Sequence, residues 1–113
     1  MKITELKPNP TDKVLFKLAS FKFVTKNAGC YILTNFENEI LYIGLAINLN
    51  KRFLQHLENP EKTSLTENGK AIWFHFTEFD KTNLEKLERS WINQYSEVYS
   101  KLPILNKINS PIH

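Results

Sequence analysis

The sequence predicts an α+β domain, a small sheet with helices packed on it, and three observations carry that expectation. Two neighbouring runs, "CYILTNF" and "EILYIGL", are rich in β-branched and aromatic residues and meet at the polar turn "ENE". A third such run, "AIWFHFTEF", lies further along the chain. Around these runs, apolar residues recur at helical rather than alternating spacing.

Taken in order, "KPNPTDKVLFKLASFKFV" opens with two prolines and a cap candidate at Thr11 or Asp12. Val14, Leu15, Leu18 and Phe21 then follow at helical spacing, which predicts a short helix over about residues 12–20. "TKNAG" breaks it, and the two β-rich runs form a hairpin. "INLNKRFLQHLENP" returns to helical spacing and stops before Pro60. "EKTSLTENGK" reads as a polar loop, followed by the third strand. Thr82 and Glu85 have capping-box spacing at the head of a long helix over about residues 82–100. "KLPILNKINSPIH" leaves that helix through Pro103. The expected order is helix, strand, strand, helix, strand, helix, with three strands in the sheet.

At 113 residues, one domain is expected over 1–113, with a helical extension at 12–27 and a core at 28–108. The 42% hydrophobic content is that of a folded protein, and no run approaches the roughly 18 apolar residues of a membrane span. "MKITELKPNP" lacks the apolar core of a signal peptide, and the single Cys30 allows no internal disulfide. A cytoplasmic setting is therefore expected. The formal charge of +3 fits a polyanionic partner without establishing one.

Three polar features sit on faces that should be apolar. In the long helix, Leu84, Leu87, Trp91, Ile92, Tyr95, Val98 and Tyr99 cluster on one side, and Glu88 falls within that arc. A carboxylate there must be paired, protonated or bound to a cation, so a salt bridge and a metal site are the two readings. In the middle helix, Arg52 and His56 flank the stripe of Leu49, Phe53 and Leu57. They could grip a phosphate, or Arg52 could lay its stem on the core while His56 is a half-buried histidine. In the hairpin, an even loop puts Tyr31 and Tyr42 on one face, beside Gly29 and Gly44. The glycines would let a backbone or ligand approach closely, although tyrosines that simply pack are common in strands.

Together these residues resemble the GIY-YIG nuclease domain. "GCY" at 29–31 stands at the first motif, with Cys30 in place of an aliphatic residue, and "YIG" at 42–44 is the second motif unaltered. Arg52 in "NLNKRF" resembles the family's arginine, and His56 a histidine found in part of it. Glu88 in "LERSWINQY" resembles the metal-binding glutamate, and Asn106 in "PILN" the terminal asparagine. One departure is Leu45, where many relatives carry Lys or Ser.

The resemblance implies a three-stranded antiparallel sheet with flanking helices. It also implies an Mg²⁺-dependent endonuclease, with Mn²⁺ as a substitute, that hydrolyses phosphodiester bonds, in DNA ahead of RNA. Glu88 would hold the metal and Arg52 a non-bridging phosphate oxygen. Tyr31 and Tyr42 compete for the role of base, with Tyr31 slightly favoured and Tyr42 then placing the water or phosphate, His56 assisting proton transfer and Asn106 orienting a tyrosine or the phosphate. Gly44, Lys51, Lys62 and Lys70 are the expected substrate contacts, and the first helix with Lys13, Lys17 and Lys22 nearby is another candidate for touching substrate. A recruiting protein is a further expected partner, and a non-catalytic nucleic-acid-binding module on the same fold is the alternative.

Overall fold

In the computed structural model, which describes residues 1–106, the strands are β1 (Asp12–Leu15), β2 (Gly29–Thr34), β3 (Ile40–Ala46) and β4 (Trp73–Glu78). The α-helices are α1 (Leu49–Leu57), α2 (Pro60–Thr63) and α3 (Leu84–Tyr99). The sheet runs β1-β4-β2-β3, every pairing antiparallel, so β2 lies inside and β3 at one edge. The α+β expectation holds, but the sheet has four strands rather than three.

The additional strand corrects the first expected helix. Residues 12–20 do not form an α-helix: β1 pairs with β4 and leads into a 3-10 helix, Leu18–Phe23. The true period is two. Val14 and Phe16 turn toward the core while Lys13, Leu15 and Lys17 face outward, so Leu15 and Leu18 never join Val14 on one buried stripe. The expected polar loop also begins with structure. Pro60 opens α2, where a missing N–H costs nothing, and the Asn59 side chain accepts from the Glu61 amide at 3.0 Å. At the head of α3 the Thr82–Glu85 capping box does not form. Asp80 accepts from the Thr82 amide at 3.2 Å and caps a single 3-10 turn, Lys81–Asn83, which passes directly into α3.

The sheet separates two apolar layers. On one face Tyr31, Leu33, Tyr42, Phe74 and Phe76 pack with Leu49 and Phe53 of α1. On the other, Cys30, Ile32 and Ile43 pack with Leu84, Leu87 and Trp91 of α3. Strand alternation assigns each residue to its layer, which is why adjacent Cys30 and Tyr31 face opposite ways. Burial on α3 runs from Leu84 to Tyr95, and Val98 and Tyr99 are exposed beyond it.

The outer edge of β3 is closed by the C-terminal segment. The Leu105 amide donates to the Leu41 carbonyl at 2.9 Å, and Asn106 pairs with both backbone groups of Ile43 at 2.8 Å. This satisfies groups that an open edge would present to other chains. The expected core boundary at residue 108 lies outside the described residues.

Candidate active site

The hairpin register brings the two tyrosines together. Tyr31 pairs with Gly44 and Leu33 with Tyr42, so both phenols rise from the same face, their rings stacked with centroids 5.9 Å apart. The glycine of the second motif is what makes room. A Cβ on Gly44 would stand 2.6 Å from Tyr31 Oη and 2.8 Å from a Tyr42 ring carbon. The close approach that Gly44 permits is therefore that of the tyrosine rings. Gly29 serves a different contact: a Cβ there would meet the Thr77 carbonyl oxygen at 2.2 Å and Leu49 Cδ1 at 2.6 Å. Here the glycine lets the sheet and α1 close on each other.

Helix α1 delivers the next two groups. Asn48 caps it by accepting from the Lys51 amide at 3.0 Å, and Phe53 anchors it between Phe16 and Phe74. That rotation places His56 against the tyrosines, with Nε2 2.6 Å from Tyr31 Oη. Arg52, one turn earlier, donates from Nη1 to the Leu45 carbonyl at 3.1 Å and from Nε to Gln55 at 3.1 Å. Residue 45 thus acts through its backbone, a service that any side chain at that position would leave intact.

The electrostatics of the cluster are set first by burial. Burial, then the Tyr42 phenol, pushes Tyr31 well above the usual phenol range against the pull of Arg52. Burial also raises Tyr42, while a hydrogen bond from Tyr31 and the Arg52 charge draw it down and Glu88 pushes it up. Both ionised forms receive a hydrogen bond, Tyr31 from Arg52 and Tyr42 from Tyr31, so the Tyr31 hydroxyl is the donor between the two phenols. Burial, helped by Lys62 and Arg52, lowers His56 to about 3, so its imidazole is neutral at physiological pH.

Glu88 is 8% exposed on the packed face of α3, as the helical periodicity predicted. Its charge acts on Tyr42 in one layer and on Cys30 in the other. Burial first and Glu88 second push the Cys30 thiol up to about 12, and its S–H donates to the Leu84 carbonyl at 3.4 Å. Cys30 is accordingly an unreactive core residue.

The remaining expected residues divide. Asn106 reaches neither phenol: its hydrogen bonds go to the Ile43 backbone, between Tyr42 and Gly44. Lys62 is buried rather than displayed on a loop, with Nζ 4.7 Å from the Tyr42 ring centroid. Sequence reading missed this placement, because the polar run around Lys62 hides the turn of helix that Asn59 and Pro60 start. Lys51 is exposed and shares a hollow of about 340 Å³ with Asn48, Arg52 and Gln55. Lys70 stands apart, on a hollow of about 460 Å³ beside the hairpin turn with Glu37, Glu39 and Glu67. None of Tyr31, Tyr42, Arg52, His56 or Glu88 lines that second hollow.

Among the described residues no group of three or more His, Cys, Asp or Glu side chains could hold a metal ion. The donor chemistry present is one buried carboxylate near phenols and a guanidinium. That fits Mg²⁺, which keeps most of its waters and takes one or two carboxylates, and does not fit a cage such as Zn²⁺ requires. No helix among the described residues is long and apolar enough to cross a membrane.

Comparison with known proteins agrees with this arrangement. The family described as the GIY-YIG catalytic domain matches residues 27–102. UvrABC system protein C of Mycoplasma capricolum is 30% identical over 82 residues, covering 70% of this chain and 14% of that protein. The proteins of the same name from Mycoplasmoides gallisepticum and Mycoplasma genitalium are each 33% identical, over 68% and 66% of this chain and 13% of their own lengths. The chain thus spans about a seventh of the length of these relatives. With its two motif tyrosines stacked across the motif glycine, and a match over more than half its length, the chain belongs to the GIY-YIG catalytic domain family.

Proposed function

We propose that the chain is a divalent-metal-dependent endonuclease that hydrolyses phosphodiester bonds, with DNA as substrate and Mg²⁺ as its metal. The observation that carries this reading is the stacked pair Tyr31 and Tyr42 across Gly44, with His56 against Tyr31 and a buried carboxylate, Glu88, whose charge with that of Arg52 acts on Tyr42. A protein that only bound phosphates would have no use for a buried carboxylate beside them, since it repels the ligand.

Glu88 would hold the ion, which when bound supplies Lewis acidity toward the phosphate and its leaving oxygen. Arg52, tethered to the Leu45 carbonyl and Gln55, is already oriented to hold a non-bridging oxygen as charge develops there. The sequence left Tyr31 and Tyr42 competing for the base role with Tyr31 slightly ahead, and the burial of the two phenols supports Tyr42 instead. Tyr31 is wholly buried, whereas Tyr42 retains some exposure. In the neutral tautomer that carries its proton on Nε2, His56 donates to Tyr31 Oη, which leaves Tyr31 to donate its own proton toward Tyr42. This chain of donors stabilises a Tyr42 phenolate, which takes one proton from the attacking water and becomes a phenol. His56, with its affinity for protons so reduced, serves as a donor that orients Tyr31.

The relatives are named as component C of a UvrABC system, which supports assembly with other proteins as the way this small chain finds its substrate. The deciding experiment is cleavage of supercoiled, single-stranded and branched DNA with Mg²⁺, Mn²⁺ or chelator, alongside Glu88→Ala. Metal-dependent cleavage that vanishes in the variant is expected. A folded protein that binds DNA and metal yet cuts no substrate would replace this reading with a binding module.

A further inference from the structure

Residues 13–26, "KVLFKLASFKFVTK", contain four lysines and no acidic residue, and they lie outside the matched catalytic domain. In the fold they become β1 and the 3-10 helix that follows it. Lys13, Lys17, Lys22 and Lys26 are all exposed. Two apolar side chains interrupt them in an unusual way: Leu18 is 67% and Phe23 66% exposed. Lys22 Nζ stays 5.3 Å from the Phe23 ring centroid, so the exposed ring carries a cation beside it.

This ridge is fastened to the end of α1 that leads into the site. Asn50 Nδ2 donates to the Phe21 and Val24 carbonyls at 2.8 and 3.0 Å. The Asn50 amide donates to the Thr25 carbonyl at 2.9 Å, and the Leu49 amide to Asn27 at 3.1 Å. The next residues of the same helix are Lys51 and Arg52, on their hollow of about 340 Å³. The basic surface therefore continues from the ridge to the arginine. Asp12 begins the strand that precedes the ridge, and Glu78 accepts hydrogen bonds from Thr25 and Asn27 at its end.

We propose that the ridge of residues 17–26 is a second contact surface for the nucleic acid, which takes an unpaired strand leaving the Arg52 hollow. Lys17, Lys22 and Lys26 meet its phosphates, and the Phe23 ring stacks on a base. Charge complementarity identifies a polyanion, and the exposed ring selects a single strand, because a paired duplex has no free base face to offer. The inference rests on the endonuclease reading for the direction of the strand, but binding can be tested without catalysis.

The test is fluorescence anisotropy in chelator with a labelled oligothymidine and a blunt duplex of equal length. Phe23→Ala and Phe23→Leu should each weaken single-strand binding by about tenfold and leave duplex binding nearly unchanged. Lys17→Glu/Lys22→Glu should weaken both, and flatten the single-strand salt dependence by about 1.4 in log–log slope, roughly 0.7 per lost phosphate contact. All three variants alter exposed positions, and their melting curves establish that they are folded. Equal losses on both ligands from Phe23→Ala, or retained single-strand binding in Phe23→Leu, would overturn the stacking surface. Wild-type affinity in Lys17→Glu/Lys22→Glu would overturn the ridge altogether. If the ridge behaves as expected but no metal yields cleavage, the endonuclease reading fails and the ridge stands.

Discussion

Tyr31 Oη and His56 Nε2 lie 2.6 Å apart in a place where both residues are buried. A strand and a helix 25 positions apart in sequence meet there, and the contact orients the phenol that in turn faces Tyr42. Since burial holds both phenols above their usual range, the proposed base is mostly protonated at neutral pH. Cleavage should therefore rise nearly tenfold per pH unit from 7 toward 9 when chemistry limits the rate. Tyr42→Phe should abolish it. Tyr31→Phe removes the donor to the phenolate and should move the profile to higher pH while leaving residual activity. A flat profile in single-turnover measurements would count against a tyrosine base.

Acid should unfold this protein through its histidines. His56 is lowered to about 3 and His75 to about 4, in both cases chiefly by burial. His75 is also hydrogen-bonded to Thr34 Oγ1 at 2.9 Å, in the interior of the sheet. Both histidines bind protons more tightly when unfolded, near the ordinary value of 6.5, than when folded. Their contribution is complete above about pH 6.5 and is lost as pH falls toward 3 or 4. At pH 5 each should cost about 2 kcal/mol relative to pH 7. Urea titrations at the two pH values measure the difference. Replacing His75 with Gln should remove its share of the pH dependence even if stability at pH 7 also falls.

The two motif glycines should respond differently to alanine. At Gly44 the added Cβ meets the ends of two tyrosine rings, which can yield by a small rotation. The stability loss should be about 1–3 kcal/mol, and the loss of activity larger, because the rings that move are those of the site. At Gly29 the Cβ meets a backbone carbonyl oxygen on the neighbouring strand, which cannot yield without separating β2 from β4. Gly29→Ala should therefore destabilise the fold more than Gly44→Ala. The reverse order in paired denaturation curves would show that the tyrosine cluster is the stiffer of the two.

The site was more legible in the sequence than the sheet, and the reason is physical. A carboxylate on an apolar helical arc is a contradiction that periodicity alone exposes, and Glu88 is indeed buried there. The shared face of Tyr31 and Tyr42, expected from an even loop, is reached another way: residues 35–39 make an odd turn inside the Thr34–Ile40 pair, and an irregularity between Leu33 and Thr34 shifts the register so that Leu33 meets Tyr42. β1 was illegible because "KVLF" and "KLASF" supply apolar residues at both spacings. Only pairing with β4, a contact some sixty residues away, decides between them. The burial of Lys62 was hidden for a similar reason: its neighbours are polar, and the aromatic ring that covers it comes from β3.

Leu45 offers a test of what the position after the second motif does. The resemblance puts Lys or Ser there in many relatives, which suggests a side-chain contact to phosphate. Here the backbone carbonyl of residue 45 holds Arg52 Nη1 at 3.1 Å. Leu45→Ala should consequently leave cleavage within a few-fold of wild type, since the carbonyl and the guanidinium stay in place. Arg52→Lys should lose far more, because an ammonium cannot bond the carbonyl and Gln55 while presenting a planar face to phosphate. Comparable losses in both variants would show that the Leu45 side chain itself shapes the substrate surface.

Asn106 carries the last expectation. Its amide reproduces one rung of a β-ladder on Ile43, accepting from the N–H and donating to the carbonyl, each at 2.8 Å. The clasp fixes the middle residue of "YIG" from outside, while Tyr42 and Gly44 on either side face the site. Removing it with Asn106→Ala leaves both Ile43 groups without a protein partner at the sheet edge, a loss of about 1–3 kcal/mol. Asn106→Asp keeps the acceptor but sets a carboxylate against the Ile43 carbonyl, so it should be no better than Ala. Hydrogen exchange separates this role from a direct part in chemistry. The Ile43 amide should lose protection in both variants, and turnover should fall in proportion to that local opening. Turnover that collapsed while the Ile43 amide stayed protected would place Asn106 on the substrate instead.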